Sequence, residues 1–340
     1  MGISRLLISL ITALATIVLW VEPVLADLPP GNAITDANAI LRYALPVQQR
    51  DLRDIQKKLE ETTSRMPGDL WTNLNKTATA SKNLLIRRTN QIVDSFPESK
   101  NKRGTILLKD LRQNLELLNE EATAKNKNGF AEQRMKCLQQ IGDLQALFVE
   151  EFPYDIPTEY NDLPRLLGRA TVEIKTTQGN LNAVIDGYNA PLTAGAFIDL
   201  ALKGFYDGLP FSRAEDFYVL QNGDPNGPEI GYLDPETNQE RHVPLEIRAP
   251  GESKPFYNET FEDLGLTRTT PVLPFSALGT LGWAHSDQYL DDGSSQFFFF
   301  LFDAELTPAG RNLIDGRNAA FGYVVEGQEL LKKLSVEDQI

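Results

Sequence analysis

Residues 293–300 read Gly-Ser-Ser-Gln-Phe-Phe-Phe-Phe, a small polar turn running straight into four aromatic residues. So short an aromatic run favours a strand. A strand sends successive side chains to opposite faces, so Phe297 and Phe299 oppose Phe298 and Phe300. Either the strand is buried on both faces, or one pair lines a surface groove. Upstream lies Gly279-Thr280-Leu281-Gly282-Trp283-Ala284-His285, and further upstream Phe211-Ser212-Arg213 runs through Tyr218-Val219-Leu220 to Gln221-Asn222-Gly223-Asp224-Pro225. This last stretch sets a guanidinium and a carboxamide eight residues apart, with an aromatic and an aliphatic residue between them on an expected strand.

The same strand character extends over the second half of the chain. Val172-Glu173-Ile174 alternates and leads through Gln178-Gly179-Asn180 into Leu181-Asn182-Ala183-Val184-Ile185, a strand, turn and strand. Ala194 to Leu202, bounded by Pro191 and Gly204, reads as a short helix. Short apolar runs separated by Gly and Pro then continue to Phe321-Gly322-Tyr323-Val324-Val325. Many short strands with one or two helices predict a closed barrel or a sandwich.

The first half has a different period. From Thr35 to about Phe152 apolar residues recur every three or four positions: Leu41, Leu45, Gln48, Leu52, Ile55 and Leu59; Leu108, Leu111, Leu115 and Leu118; Cys137, Ile141, Leu144 and Phe148. Asp69 to Ser95 is amphipathic but less regular. Pro46, Pro67 and Pro97 mark starts or breaks. Four helices with short connections predict an up-and-down bundle. Pro153, Pro157 and Pro164 place the domain boundary. The expected organisation is residues 1–26 as a cleavable signal peptide, 27–157 as the helical bundle, 158–167 as linker and 168–340 as the strand-rich domain.

The signal-peptide expectation rests on Arg5, the apolar run Leu6–Trp20 and the ending Val24-Leu25-Ala26. An apolar core of about 15 residues falls short of the ~20 that span a bilayer, so no stable membrane insertion is expected after cleavage. Of the 340 residues, 161–340 carry 13 Lys+Arg against 27 Asp+Glu, the whole of the net charge of −14. Such acidity argues against a nucleic-acid partner, whose phosphates need cations. One Cys and two His supply a metal site poorly, and no metal or cofactor is expected. Cys137 lies on an apolar stripe and reads as a small core hydrophobe.

Taken together, four motifs of the second half resemble the cyclophilins, a family of peptidyl-prolyl cis/trans isomerases. They are Phe211-x-Arg213 with Gln221-x-Gly223-Asp224, Gly279-x-Leu281-x-x-Ala284, Ser295-Gln296-Phe297-Phe298, and Asp315-Gly316-Arg317 running to Phe321-Gly322. They stand in family order over residues 168–328. With the signal peptide and the helical first half, the layout looks like the thylakoid-lumen cyclophilins of about forty kilodaltons, and the bacterial-style signal like a cyanobacterial member.

The resemblance implies a multidomain chain: an all-α up-and-down bundle followed by a closed antiparallel β-barrel with flanking helices. It implies catalytic roles for Arg213, Gln221 and Phe298. Substrate would meet Tyr218, Val219, Gln296, Ile314, Asn318 and the main chain of His285, with the proline ring against Phe298, Tyr218 and Val219. Proline-containing segments are the implied partners, photosystem II assembly the implied setting, and the thylakoid lumen, with periplasm as alternative, the implied compartment. The pattern departs from the family at Tyr218 (usually Phe), Val219 (usually Met), His285 (usually Asn), Leu313 (usually Trp), Ile314 (usually Leu) and Asn318 (usually His). Insertions are expected near Glu305–Asn312 and over roughly Glu229–Thr270. Losing the Trp weakens the expected binding of cyclosporin-type ligands. Three functions compete: a prolyl isomerase, a weakly active or non-catalytic assembly chaperone whose bundle docks to or gates the groove, and a structural lumenal subunit.

Overall fold

The computed structural model describes residues 34–46, 49–63, 70–301 and 313–340. The expected signal-peptide segment and the insertion expected near Glu305–Asn312 lie outside the described residues.

Helices come first: α1 (Ala37–Tyr43), α2 (Arg50–Glu60), α3 (Leu70–Asp94), α4 (Asn101–Thr123) and α5 (Lys127–Ala146). Asp36, Gln49 and Asn126 cap α1, α2 and α5, their side chains accepting from the backbone N–H of Asn38, Leu52 and Gly129. α2 to α5 form the four-helix bundle, with α2 against α3 and α5, and α4 between α3 and α5. Their stripes meet in one core containing Leu52, Ile55, Leu59, Leu85, Ile92, Leu111, Leu115, Cys137, Ile141 and Leu144. Burial pushes the Cys137 thiol up to about 12, which leaves it protonated and unreactive.

The stripe running from Leu41 to Leu59 is divided. The chain breaks around Pro46, and while Leu52, Ile55 and Leu59 enter the bundle core, Ile40 and Leu41 of α1 leave it for the strand-rich half. α1 is a peg between the two: Arg42 on its other side donates from Nε to Glu60 of α2 at 2.9 Å.

The strands are β1 (Arg169–Thr176), β2 (Gly179–Asp186), β3 (Arg213–Glu215), β4 (Val219–Asn222), β5 (Glu246–Ile247), β6 (Phe256–Tyr257), β7 (Thr280–Trp283), β8 (Phe297–Phe300) and β9 (Ala320–Glu326). β5 and β6 form a two-stranded ribbon inside the 229–270 insertion, and the other seven make one antiparallel sheet in the order β1-β2-β9-β7-β8-β4-β3. α6 (Pro191–Leu202), which takes Pro191 into its first turn rather than starting at Ala194, packs Phe197 against Phe297 and Phe321.

The closed barrel expected from the resemblance is here an open sheet with β1 and β3 as its edges. No described segment pairs along both edges. Residues 338–340 stitch across at one end only: Phe211 N–H donates to Asp338 C=O, Gly208 N–H to Ile340 C=O and Thr177 N–H to Gln339 C=O.

The alternation of the Phe run holds. Phe297 and Phe299 face the core beneath α6, whereas Phe298 and Phe300 face a second cluster on the opposite side of the sheet, with Val219, Phe275, Tyr323 and α1.

Candidate active site

Five strands contribute one residue each to a single row of the sheet. Arg213 is the register partner of Gln221, Gln221 of Phe298, Phe298 of Gly282 and Gly282 of Ala320. Register partners in an antiparallel sheet project to the same face. The next row on that face runs through Glu215, Val219, Phe300, Thr280 and Tyr323. The three residues expected to carry catalysis thus lie side by side, although 85 positions separate the first from the last.

Arg213 ends the row at the sheet edge with its side chain 48% exposed. Its Nε donates to Glu215 Oε1 at 2.7 Å, and its guanidinium lies 5.7 Å from the centroid of the Tyr218 ring. Glu215 stands two residues along the same short strand, on the same side. An exposed pair of this kind is worth about 0–1 kcal/mol, so a substrate group can displace the carboxylate at small cost. Gln221 donates from Nε2 to Gln296 Oε1 at 2.6 Å, and Gln296 donates in turn to the Ile230 carbonyl at 2.8 Å. The two amides are thereby fixed at one wall of a cavity of about 240 Å³ that Ala284, His285, Glu240 and Asp292 also line. His285 bridges loops, its Nε2 3.1 Å from the Arg317 carbonyl oxygen and its Nδ1 2.7 Å from that of Ser286.

The expected ring pocket is not an open groove. Phe298 is 7% and Val219 4% exposed; of the three residues expected around the proline ring only Tyr218, at 38%, reaches solvent. The Phe298 ring stacks on Phe275, 5.8 Å away at an interplanar angle of 13°, and leans on the bare backbone of Gly282, where a Cβ would overlap its Cζ. Ala37, Ile40, Leu41 and Ala44 of the α1 segment join the same cluster, α1 packing on β9. Ile314 joins the edge of this cluster. Asn318 sits off the row, its N–H donating to the Ile314 carbonyl at 3.1 Å, and Leu313 is 88% exposed.

Polar contacts hold α1 in place by its backbone. Arg169 Nη2 donates to Leu41 C=O at 2.6 Å, Asn189 Nδ2 to Ala44 C=O at 2.9 Å and Ser276 Oγ to Ile34 C=O at 2.6 Å. Arg169 and Asn189 are themselves set by the fully buried Asp186 carboxylate. Burying Ile40 and Leu41 contributes roughly 1.5–3 kcal/mol each.

Among the described residues no cluster of His, Cys, Asp and Glu could hold a metal ion, and no helix is long and apolar enough to cross a membrane.

Comparison with known proteins fits this site. Residues 171–339 match the family described as cyclophilin type peptidyl-prolyl cis-trans isomerase, and residues 36–149 match one described as the CYP38-like, PsbQ-like domain of such isomerases. A Synechocystis protein assigned as a thylakoid lumen peptidyl-prolyl cis-trans isomerase is 43% identical over all of this chain and 92% of its own length. The chain belongs to the cyclophilin family. Two Arabidopsis thaliana chloroplastic cyclophilins are also similar: CYP38 is 38% identical over 94% of this chain and 76% of its own, and CYP37 27% identical over 88% and 67%. In this cyclophilin the motif residues were legible in sequence. The roles of the α1 segment, Phe275, Gly282 and Glu215 were not: by its spacing Leu41 reads as a member of a bundle stripe.

Proposed function

We propose that this cyclophilin isomerises Xaa-Pro bonds in lumenal proteins, that Arg213, Gln221 and Phe298 are the groups that do so, and that α1 gates them. The amide is held planar by a barrier of ~18–20 kcal/mol. In the twisted state the proline nitrogen becomes pyramidal and regains a lone pair, to which Arg213 donates after leaving Glu215. Gln221 and the main chain of His285 hold the substrate carbonyl, Gln296 lines the approach, and the ring sits against Phe298, Tyr218 and Val219, with Ile314 and Asn318 at the margin. No covalent step is needed. A 10⁴-fold acceleration requires about 5.4 kcal/mol; one charge-assisted bond supplies roughly 1.5–3 kcal/mol, and ring packing and a fixed carbonyl supply the rest.

The observation that carries this proposal is the single row Arg213, Gln221, Phe298. A second reading, an assembly chaperone with little turnover, draws on Phe298 being buried in one cluster with α1. Proline-containing segments are the proposed partners and photosystem II subunits the proposed clients; the lumen is the proposed compartment, in keeping with the name of the Synechocystis relative. On this proposal the chain divides at 158–167 into a helical unit, 27–157, and a catalytic one, 168–340, after a signal peptide over 1–26.

The test is exchange of an Ala-Pro peptide, followed by NMR, with the mature chain and its Leu41→Asp and Arg213→Ala variants. A gated enzyme accelerates exchange weakly, more strongly in Leu41→Asp, and roughly 10- to 100-fold less in Arg213→Ala. Equal, uncatalysed rates in all three would leave the chaperone.

A further inference from the structure

The β3–β4 turn carries a conformation that its sequence resists. Tyr218 N–H donates to Glu215 C=O at 3.1 Å, closing a four-residue turn whose third residue, Phe217, has φ +61°. That position with positive φ is ordinarily Gly or Asn, and a bulky residue there is a genuine outlier. Three other non-glycine residues among those described share positive φ: Asn238, Asn258 and Lys125. The asparagines tolerate it, and Lys125 follows the end of α4. Phe217 has no such excuse, and the core does not explain it either, since 66% of the residue is exposed. Strain and exposed aromatic surface are held together at one point, four positions from Arg213 and from Gln221 and just past the Glu215–Val219 row.

We propose that Phe217 is a specificity-determining residue: its ring receives a large apolar side chain, aromatic above all, on the residue that follows the isomerised proline. The assignment rests on the reading of the Arg213 row as the active site. The direction follows from the hairpin. Arg213 and Gln221 share a row, Gln296 lies on its Asp224 side, and Glu215, Val219 and Tyr218 lie on its turn side. With the carbonyl before proline held at Gln221 and the ring against Val219 and Tyr218, the segment after proline leaves toward the turn at Phe217. The turn there is acidic, Glu215 and Asp216 directly preceding Phe217, so the preferred segments are apolar without being anionic.

The experiment uses the full mature chain with two peptides, Ala-Pro-Phe and Ala-Pro-Gly, measuring affinity by calorimetry and exchange by NMR for the wild type, Phe217→Gly, Phe217→Tyr and Arg213→Ala. The wild type favours Ala-Pro-Phe; Phe217→Gly loses about fivefold in that preference, as expected for one aromatic contact, without losing Ala-Pro-Gly, and its Tm rises because Gly relaxes the turn. Phe217→Tyr keeps the preference. A wild type that binds neither peptide, or shows no preference, overturns the proposal, as does a Phe217→Gly chain with the preference intact. If Arg213→Ala lowers turnover 10-fold or more while Phe217→Gly changes nothing, only this assignment fails; if Arg213→Ala turns over normally, the reading of the site fails with it.

Discussion

The Phe298 ring rests on the backbone of Gly282, its cross-strand partner, in space that a single methyl group would fill. The contact sets how deep the ring sits, and Phe275 stacks on that ring while also abutting Gly282. Gly282→Ala is therefore an overpacking change on β7. It should cost about 1–3 kcal/mol in urea denaturation and loosen the packing of α1, read as faster amide exchange of Ile40 and Ala44. An alanine variant as stable as the parent would mean that the ring moves aside freely.

Arg213 is engaged before substrate arrives. Its partner Glu215 shares a strand with it and is itself exposed, so Glu215→Gln should release the guanidinium and raise turnover up to about fivefold, the value of an exposed pair. Arg213→Ala should lower turnover by roughly 10- to 100-fold, the value of one charge-assisted bond. NMR exchange measures both. Slower turnover in Glu215→Gln would show that the carboxylate positions the guanidinium rather than competing for it.

How much of this was readable in sequence depends on the range of the determinant. The opposite facing of Phe297 and Phe298 was, because period two belongs to the strand itself. The site row was legible only through motif resemblance, since register joins Arg213 to Phe298 across two other strand pairings. Closure of the sheet was not legible: whether β1 and β3 are bridged depends on a remote segment, and residues 338–340 reach across at one point only. Leu41 and Leu52 sit on one periodic stripe yet serve different cores. Periodicity says that a face is buried, not against what, and the break at Pro46 lets the two halves turn independently.

The clamp on α1 gives a third expectation. Arg169 joins the Leu41 carbonyl to the Asp186 carboxylate, which is wholly buried. Arg169→Ala leaves that charge with Asn189 alone and should cost about 3–5 kcal/mol. Asn189→Ala removes the bond to the Ala44 carbonyl and should cost about 1–3 kcal/mol. Both should speed exchange of the Ile40 and Ala44 amides before global unfolding does. Exchange that accelerates only in step with global stability would show that α1 does not open on its own.

The last expectation concerns pH. Glu246, in the insertion, lies fully buried at the start of α6, where one carboxylate oxygen accepts from the N–H of Leu192 at 3.0 Å and of Thr193 at 3.1 Å. The Tyr257 and Thr193 hydroxyls also interact with the carboxylate. Burial pushes the carboxyl up to about 7, against the pull of those N–H donors. Because the folded value lies above the ordinary one, the folded state holds the proton more tightly than the unfolded chain. The resulting stabilisation is complete below pH ~4.5 and is lost as pH rises through 7, by roughly 3 kcal/mol at most. Glu246→Gln keeps an oxygen for the two N–H groups and has no charge to bury, so its Tm should stay flat from pH 5 to 8 and exceed the parent's at pH 8. Two residues on, Arg248 donates to Asn189, which holds the Ala44 carbonyl, so the parent's α1 amides should also exchange faster at pH 8 than at pH 5, beyond the intrinsic rise with pH. Parallel Tm curves for parent and variant would remove Glu246 as the source of any such dependence.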